Sequence, residues 1–263
     1  MSDNLNPPYE LNIGGFEPPQ IAADNPLTVE GVELGRKLFY EKRLSKDGSI
    51  SCASCHRQEH AFTDTSKLSI GVDGKLGKRQ AMAVFNMAWN ENEFFWDGRA
   101  HLLRDQSLLP IQDPLEMQET LENVVDKLKA DQDYLDHFNR AFGSTEITAE
   151  RMSLAMEQFM NSIVSVESKY DRFLRGEELL DSSEERGRRL FFAEFNPGFP
   201  SLSGADCAHC HTGLNFENDQ YMNNGLDSDS DMADDGRMAA TNQASDKGKF
   251  KVTSLRNIEL TPP

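Results

Sequence analysis

Apolar positions recur at helical spacing along most of the chain. Val32, Leu34, Leu38 and Phe39 mark one helix-like pattern, and Leu190, Phe191 and Phe195 mark another. Ser182-Ser183-Glu184-Glu185 reads as the start of the second, with small polar and acidic residues in place. Between them, Glu122 to Phe142 predicts helix, with Val125, Leu128, Leu135 and Phe138 on a broad apolar face and Gly143 as its stop. Thr148 to Leu174 predicts a longer helix. Thr148 serves as cap, Glu150 and Arg151 fall in the first turn, and Met152, Ala155, Met156, Phe159, Ile163 and Val166 follow. No segment alternates convincingly as a strand. Asn218 to Gly248 is rich in Asp, Asn, Ser and Gly and predicts a long loop. The acidic cluster from Asp227 to Asp235 reads as a solvated part of that loop in preference to a cation site. The expected fold class is all-α, mainly helical.

The 263 residues suffice for two domains of ordinary size. Hydrophobic content is 38%, slightly low, which a bound apolar prosthetic group would offset. The 44 Asp and Glu outweigh 27 Lys and Arg, for a net charge of −17. That argues against nucleic acid, whose phosphates want clustered Lys and Arg. It suits a basic protein partner drawn in by long-range attraction, or simply an acidic surface; charge alone does not decide. No apolar run approaches the roughly 18 to 20 residues that span a bilayer. The N-terminal MSDNLNPPYE has no basic stretch followed by an apolar core, so no signal peptide is visible.

All four cysteines fall in two blocks, Cys52-Ala53-Ser54-Cys55-His56 and Cys207-Ala208-His209-Cys210-His211. Disulfides would leave the spacing and the following His unexplained. A thioredoxin-like pair does not need the His. A zinc site would have to join pairs about 150 residues apart. Cys-x-x-Cys-His reads as a c-type haem attachment site. Two thiols bond to the porphyrin edge, and the next residue projects an imidazole onto the iron. Cys52, Cys55, Cys207 and Cys210 are thus the expected covalent anchors, with His56 and His211 as iron ligands. Such attachment normally happens outside the cytoplasm, so the expected location is periplasmic, with an export signal removed.

A repeat supports duplication. Gly35-Arg36-Lys37-Leu38-Phe39-Tyr40 precedes the first block and Gly187-Arg188-Arg189-Leu190-Phe191-Phe192 the second. The expected domains are residues 24–165 and 166–263, each cytochrome c-like with one covalent haem, after an extension of residues 1–23.

Further runs carry a family resemblance. They are Ala61-Phe62-Thr63-Asp64, Ser69-Ile70-Gly71, Phe95-Trp96-Asp97-Gly98-Arg99-Ala100, the stretch from Gln106 through Pro110 to Glu116-Met117, and Lys251 to Ile258. With the two haem blocks, the chain resembles the bacterial di-haem cytochrome c peroxidases and the related MauG-like enzymes. The resemblance implies a peroxidase that reduces hydrogen peroxide at the first haem. Electrons come from a small soluble donor, a cytochrome c or cupredoxin, through the second. It implies Glu116 as distal acid-base residue, Gln106 as the amide that orients peroxide, Pro110 lining the same pocket, and Trp96 as the aromatic between the haems. It further implies calcium, with Gln80 and Thr253 at the matching positions in place of the usual Asn and Pro. A homodimer is left open.

Two departures bear on this. Many members carry a His after the Ser-x-Gly motif that ligates the resting first iron; here the matching residue is Val72, which cannot. An open distal site needing no reductive activation is expected. The family pattern also continues past Pro263 into a segment that usually supplies the sixth ligand of the second haem, so the chain reads as truncated. His60, His101, His137 and His209 are the other histidines. His60 reads as one helical turn beyond His56, and only His101 is kept as a faint alternative ligand. Two other functions stay open: a MauG-like oxidase acting on a protein partner, and a di-haem electron carrier without catalysis.

Overall fold

The computed structural model describes residues 6–228 and 230–262, so the first five residues of the expected extension, Asp229 of the acidic cluster and Pro263 lie outside it. The chain is helical and forms two compact units. One is Pro19–Val164, with the stretches up to Leu11 and from Asn257; the other is Ser165–Arg256 with Asn12–Pro18.

In the first unit, α1 (Val29–Phe39) starts where the Thr28 side chain accepts from the Gly31 N–H at 3.2 Å. Its inward face, Leu34, Leu38 and Phe39, is almost fully buried. Each such side chain contributes on the order of 1.5–3 kcal/mol. The partner is α6 (Ala149–Ser162), capped by Thr148 as expected. Glycine brings these helices together: a Cβ on Gly35 would stand 1.9 Å from the Ala155 carbonyl oxygen. Helices α3 (Leu103–Gln112), α4 (Leu121–Lys129) and α5 (Gln132–Phe142) complete the core, where Ile111, Val124, Leu128, Tyr134 and Phe138 are sealed.

The expected helix from Glu122 to Phe142 is in fact two. Asp131 breaks it by accepting the Asp133 N–H at 3.0 Å, a side-chain cap that competes with helix continuation. Gly143 ends α5 in the left-handed conformation, φ 69°. The expected helix from Thr148 to Leu174 also breaks. Ile163-Val164-Ser165-Val166 is rich in β-branched residues, which helices tolerate poorly, and Ile163 is extended. A separate α7 (Lys169–Leu174) then starts at a capping box of Ser168 and Asp171.

The second unit holds α7 and α8 (Ser182–Phe192). The cap of α8 is Asp181, one residue before the expected start, whose side chain accepts from Ser183 and Glu184. The stretch from Asn218 to Gly248 is mostly loop but not wholly. Tyr221–Met222 (β1) pairs antiparallel with Phe250–Lys251 (β2), and Met238–Thr241 forms a short helix, α9. The Arg237 guanidinium stacks on Tyr221 at 3.7 Å, which orders part of this polar stretch. Buried Arg256 clamps buried Asp171 with two bonds of 2.6 and 2.8 Å and also donates from Nε to the Leu214 carbonyl at 2.8 Å. That satisfies both charges away from water.

Candidate functional site

The first Cys-x-x-Cys pair is a single helical turn, α2 (Cys52–Cys55). The Ser51 N–H donates to the Ser54 hydroxyl at 2.9 Å, which satisfies a free donor at its start. One turn of helix puts both sulfurs on one side, and the His56 N–H closes it on the Cys52 carbonyl at 2.9 Å. Beyond α2 the chain doubles back. Ala61 and Phe62 both take left-handed backbone, φ 53° and 57°, a costly conformation for non-glycine residues. As a result the Phe62 carbonyl faces the imidazole and accepts from His56 Nδ1 at 3.0 Å. His60 lies in a separate short turn, Gln58–His60, and not on a helix continued from His56, because the chain reverses at Ala61.

The second anchor repeats this arrangement. The His211 N–H bonds to the Cys207 carbonyl at 2.9 Å, and His211 Nδ1 donates to the Phe216 carbonyl at 3.1 Å. Phe216 is again left-handed, φ 54°. In both halves, then, Nδ1 carries the proton toward a carbonyl, which makes Nε2 the nitrogen that would bind a metal; the Met82 backbone also bonds the His56 ring. No two of the four cysteines are joined in a disulfide. Burial holds the His56 imidazole below its ordinary pKa, which favours the neutral, ligating form. Burial also pushes the Cys52 thiol up to about 12.

Apolar rings stand at each anchor. Phe39 lies 6.1 Å from the His56 ring, centroid to centroid, and packs on Phe62 and Phe159. In the second unit, Phe191 and Tyr170 both contact Phe216, at 5.8 and 5.6 Å, and line a cleft of about 380 Å³. Thiol pairs, a tautomer-fixed imidazole and aromatic walls are the donor set and surroundings that a thioether-linked porphyrin needs.

The residues expected opposite the first anchor come from α3 and the turn after it. Gln106 and Pro110 are four residues apart on α3 and so share a face; both are half-buried. The Pro110 carbonyl accepts from the Met117 N–H at 3.2 Å, which folds Glu116 back toward the helix. The Glu116 carbonyl in turn accepts from the Val72 N–H at 2.8 Å. Gly71 makes that approach possible, since a Cβ there would stand 2.0 Å from the Leu115 carbonyl oxygen. Val72 itself is buried, 2% exposed. Burial raises the Glu116 carboxyl above its ordinary value, the Asp113 charge adds to this, and the Arg99 charge opposes it. Glu116 is near enough to Cys52 and Cys55 for its charge to raise both thiols.

Trp96 donates its indole N–H to the Gln80 carbonyl at 2.9 Å. The Gln80 side-chain amide donates to the Pro262 carbonyl at 2.5 Å. Thr253 is half-buried in the other unit. Among the described residues no cluster of three or more His, Cys, Asp or Glu could hold a metal ion. His101 is strongly exposed, and His137 is buried on α5, accepting from Arg140 at 2.7 Å. His209 bonds Asp206 at 2.5 Å.

The sequence reading missed three contributors. The Phe62 and Phe216 carbonyls are main-chain groups placed by left-handed backbone, with no residue signature. Arg99 was read only as part of a motif, yet its guanidinium, stacked on Phe95 at 3.5 Å and paired with buried Asp97, acts on Glu116.

A mainly helical chain with two such anchors is what a di-haem c-type protein requires. The sequence profile of the family described as di-haem cytochrome c peroxidase matches residues 29–179. The chain belongs to this family, a family of peroxidase enzymes, and membership implies two c-type haems. It is 37% identical over 247 residues to the cytochrome c551 peroxidase of Nitrosomonas europaea, covering 92% of this chain and 70% of that one. It is 35% identical over 241 residues to the methylamine utilization protein MauG of Methylorubrum extorquens, covering 91% and 65%. The chain therefore spans about two thirds of these relatives' length. Among solved structures, a MauG-like protein associated with microbial copper homeostasis superposes with a TM-score of 0.87 at 33% identity, covering 97% of this chain and 77% of that one. No helix among the described residues is long and apolar enough to cross a membrane.

Proposed function

We propose that this chain reduces hydrogen peroxide to water, drawing electrons from a small soluble periplasmic donor such as a cytochrome c or cupredoxin, and that it works without prior reductive activation. The names of its peroxidase relatives support the reaction class. The observation that carries the reading is Glu116, a carboxyl raised by burial beside the first thiol pair and tied through its carbonyl to Val72.

When bound, the haems supply one-electron redox chemistry at iron, held by Cys52, Cys55 and His56 in one half and by Cys207, Cys210 and His211 in the other. The protein supplies the protons and the positioning. Glu116 as carboxylate takes a proton from the attacking peroxide oxygen and returns it to the departing one, so that two electrons and two protons turn hydrogen peroxide into two waters. Gln106 orients the peroxide and Pro110 closes the pocket wall. Trp96, its indole fixed on the Gln80 carbonyl, offers an aromatic route for the electron. Val72 presents no ligating atom where a histidine would otherwise block peroxide.

Turnover with a reduced cytochrome or dye donor tests this in wild type and in Glu116→Gln. The variant should lose more than about a hundredfold in rate. A resting ferric spectrum showing the first haem wholly low-spin with two nitrogen ligands would end the activation-free part. A second reading, oxidation of a protein partner, draws on the close superposition with the MauG-like structure. Wild-type turnover with small donors would count against it. A pure electron carrier would not need Glu116 and Gln106 placed as they are.

A further inference from the structure

Helix α3 starts without a cap of its own. Its N-cap residue is Leu102, with the extended backbone that a cap requires, φ −115° and ψ 149°, but with no side-chain acceptor. The acceptor comes from α6 instead. Glu157 Oε1 accepts the Arg104 N–H, in the first turn of α3, at 3.3 Å and Arg104 Nε at 3.2 Å, while Oε2 pairs with Arg104 Nη2 at 2.9 Å. The Asn25 amide donates to Glu157 Oε2 at 2.6 Å, and Asn25 Oδ1 accepts from Gln158 Nε2 at 2.8 Å. Asn25, Glu157 and Gln158 are all buried, within the first unit. Two residues further along α6, Phe159 packs on Phe39 at 5.2 Å, and Phe39 stands beside the His56 ring. One helix thus touches both the start of α3 and the aromatic ring at the first anchor.

We propose that Glu157 is a positioning residue: from α6 it caps α3 and so fixes where α3 holds Gln106 and Pro110. The inference rests on the reading of Gln106 as the amide that orients peroxide. Gln106 lies two residues beyond Arg104, and its N–H bonds the Leu102 carbonyl at 3.0 Å, so a displaced first turn carries Gln106 with it. A carboxylate suits the place because it faces the positive end of the helix dipole. Its own charge is met by Arg104, whose guanidinium Asp24 holds at 2.7 and 3.0 Å. Through Glu157 and Phe159, α6 serves both α3 and the ring packed beside His56. Such a common reference matters because a misplacement of about 1 Å in a reacting group can cost about a hundredfold in rate.

Two measurements on the holo-protein test it. Hydrogen exchange read by mass spectrometry reports the first turn of α3, and kcat/KM for peroxide reports the placement of Gln106. Glu157→Gln keeps the buried volume and removes the charge. It should speed exchange in the peptide from Leu102 to Ser107 by at least about fivefold and lower kcat/KM by about tenfold. Leu102 is 50% exposed, so Leu102→Ser can be added there as a local cap, and it should restore both readings in the Glu157→Gln background. A role for Glu157 in core packing alone would not answer to a cap supplied at position 102. Unchanged exchange in Glu157→Gln, or failure of Leu102→Ser to restore it, overturns the proposal. Faster exchange with wild-type kcat/KM, where Gln106→Leu is impaired, also overturns it. Gln106→Leu with wild-type kcat/KM removes the peroxide-orienting reading instead, and exchange in α3 still decides whether Glu157 caps it.

Discussion

At Glu116 three influences meet: burial and Asp113 raise the carboxyl above its ordinary 4.5, while Arg99 pulls it down. The form that accepts a proton from peroxide is the carboxylate. A raised pKa means this form is lost as pH falls through a value above that of an ordinary carboxyl, so kcat/KM for peroxide should decline on the acid side earlier than 4.5 would give. Arg99→Leu removes the lowering charge and should move that limb to still higher pH; a pH–rate profile checks it, and an unmoved limb would take Arg99 out of the account. The candidates Glu116, Gln106, Pro110 and Trp96 were nameable through motif resemblance, from runs readable in the chain. The left-handed backbone of Phe62 and Phe216 was not. Phenylalanine has no preference for positive φ, so only the assembled loop reveals which carbonyl it aims.

Among the elements, α1 and α6 show how one glycine sets a helix crossing. With a Cβ at Gly35 due to meet the Ala155 carbonyl oxygen at 1.9 Å, Gly35→Ala must push the helices apart or bend them. Overpacking of this kind costs about 1–3 kcal/mol, and urea denaturation of the holo-protein should show a midpoint lowered by that loss divided by the m-value. The counterpart in the repeat, Gly187, meets nothing within 4 Å, so identical letters in the two hexapeptides serve different packing. The existence of α1, α4, α5, α6 and α8 was readable from spacing, whereas helix continuity was not, and α3 carried no periodic signal that was read. The break at Asp131 is a choice between capping and continuing, and the apolar stripe runs through it unchanged. The break after Ser162 had a signal in the β-branched run, but Ile163 and Val166 keep helical spacing and disguise it. The Tyr221–Met222 ladder is two residues long, too short for any alternation to show.

For the whole molecule, the net charge of −17 matters most at a distance. A basic donor should be steered in at low salt. Its apparent second-order rate should fall steeply as ionic strength rises past about 0.1 M, where screening acts within roughly 10 Å. An uncharged dye donor should show little change, and stopped-flow reduction with both donors compares them directly. Each compact unit carries its own anchor, and the near side of each is built alike: an imidazole gripped through Nδ1 by a phenylalanine carbonyl, at 3.0 Å in one and 3.1 Å in the other. Where haem binds, such a grip would orient the imidazole from beneath in both units in the same way, while burial and a second backbone bond, from Met82, act on His56. A gap between the two iron potentials would then draw on burial around each imidazole and on the opposite side, through polarity, access of water and whatever sixth group arrives there. The handle common to the two units leaves those surroundings as the part free to differ.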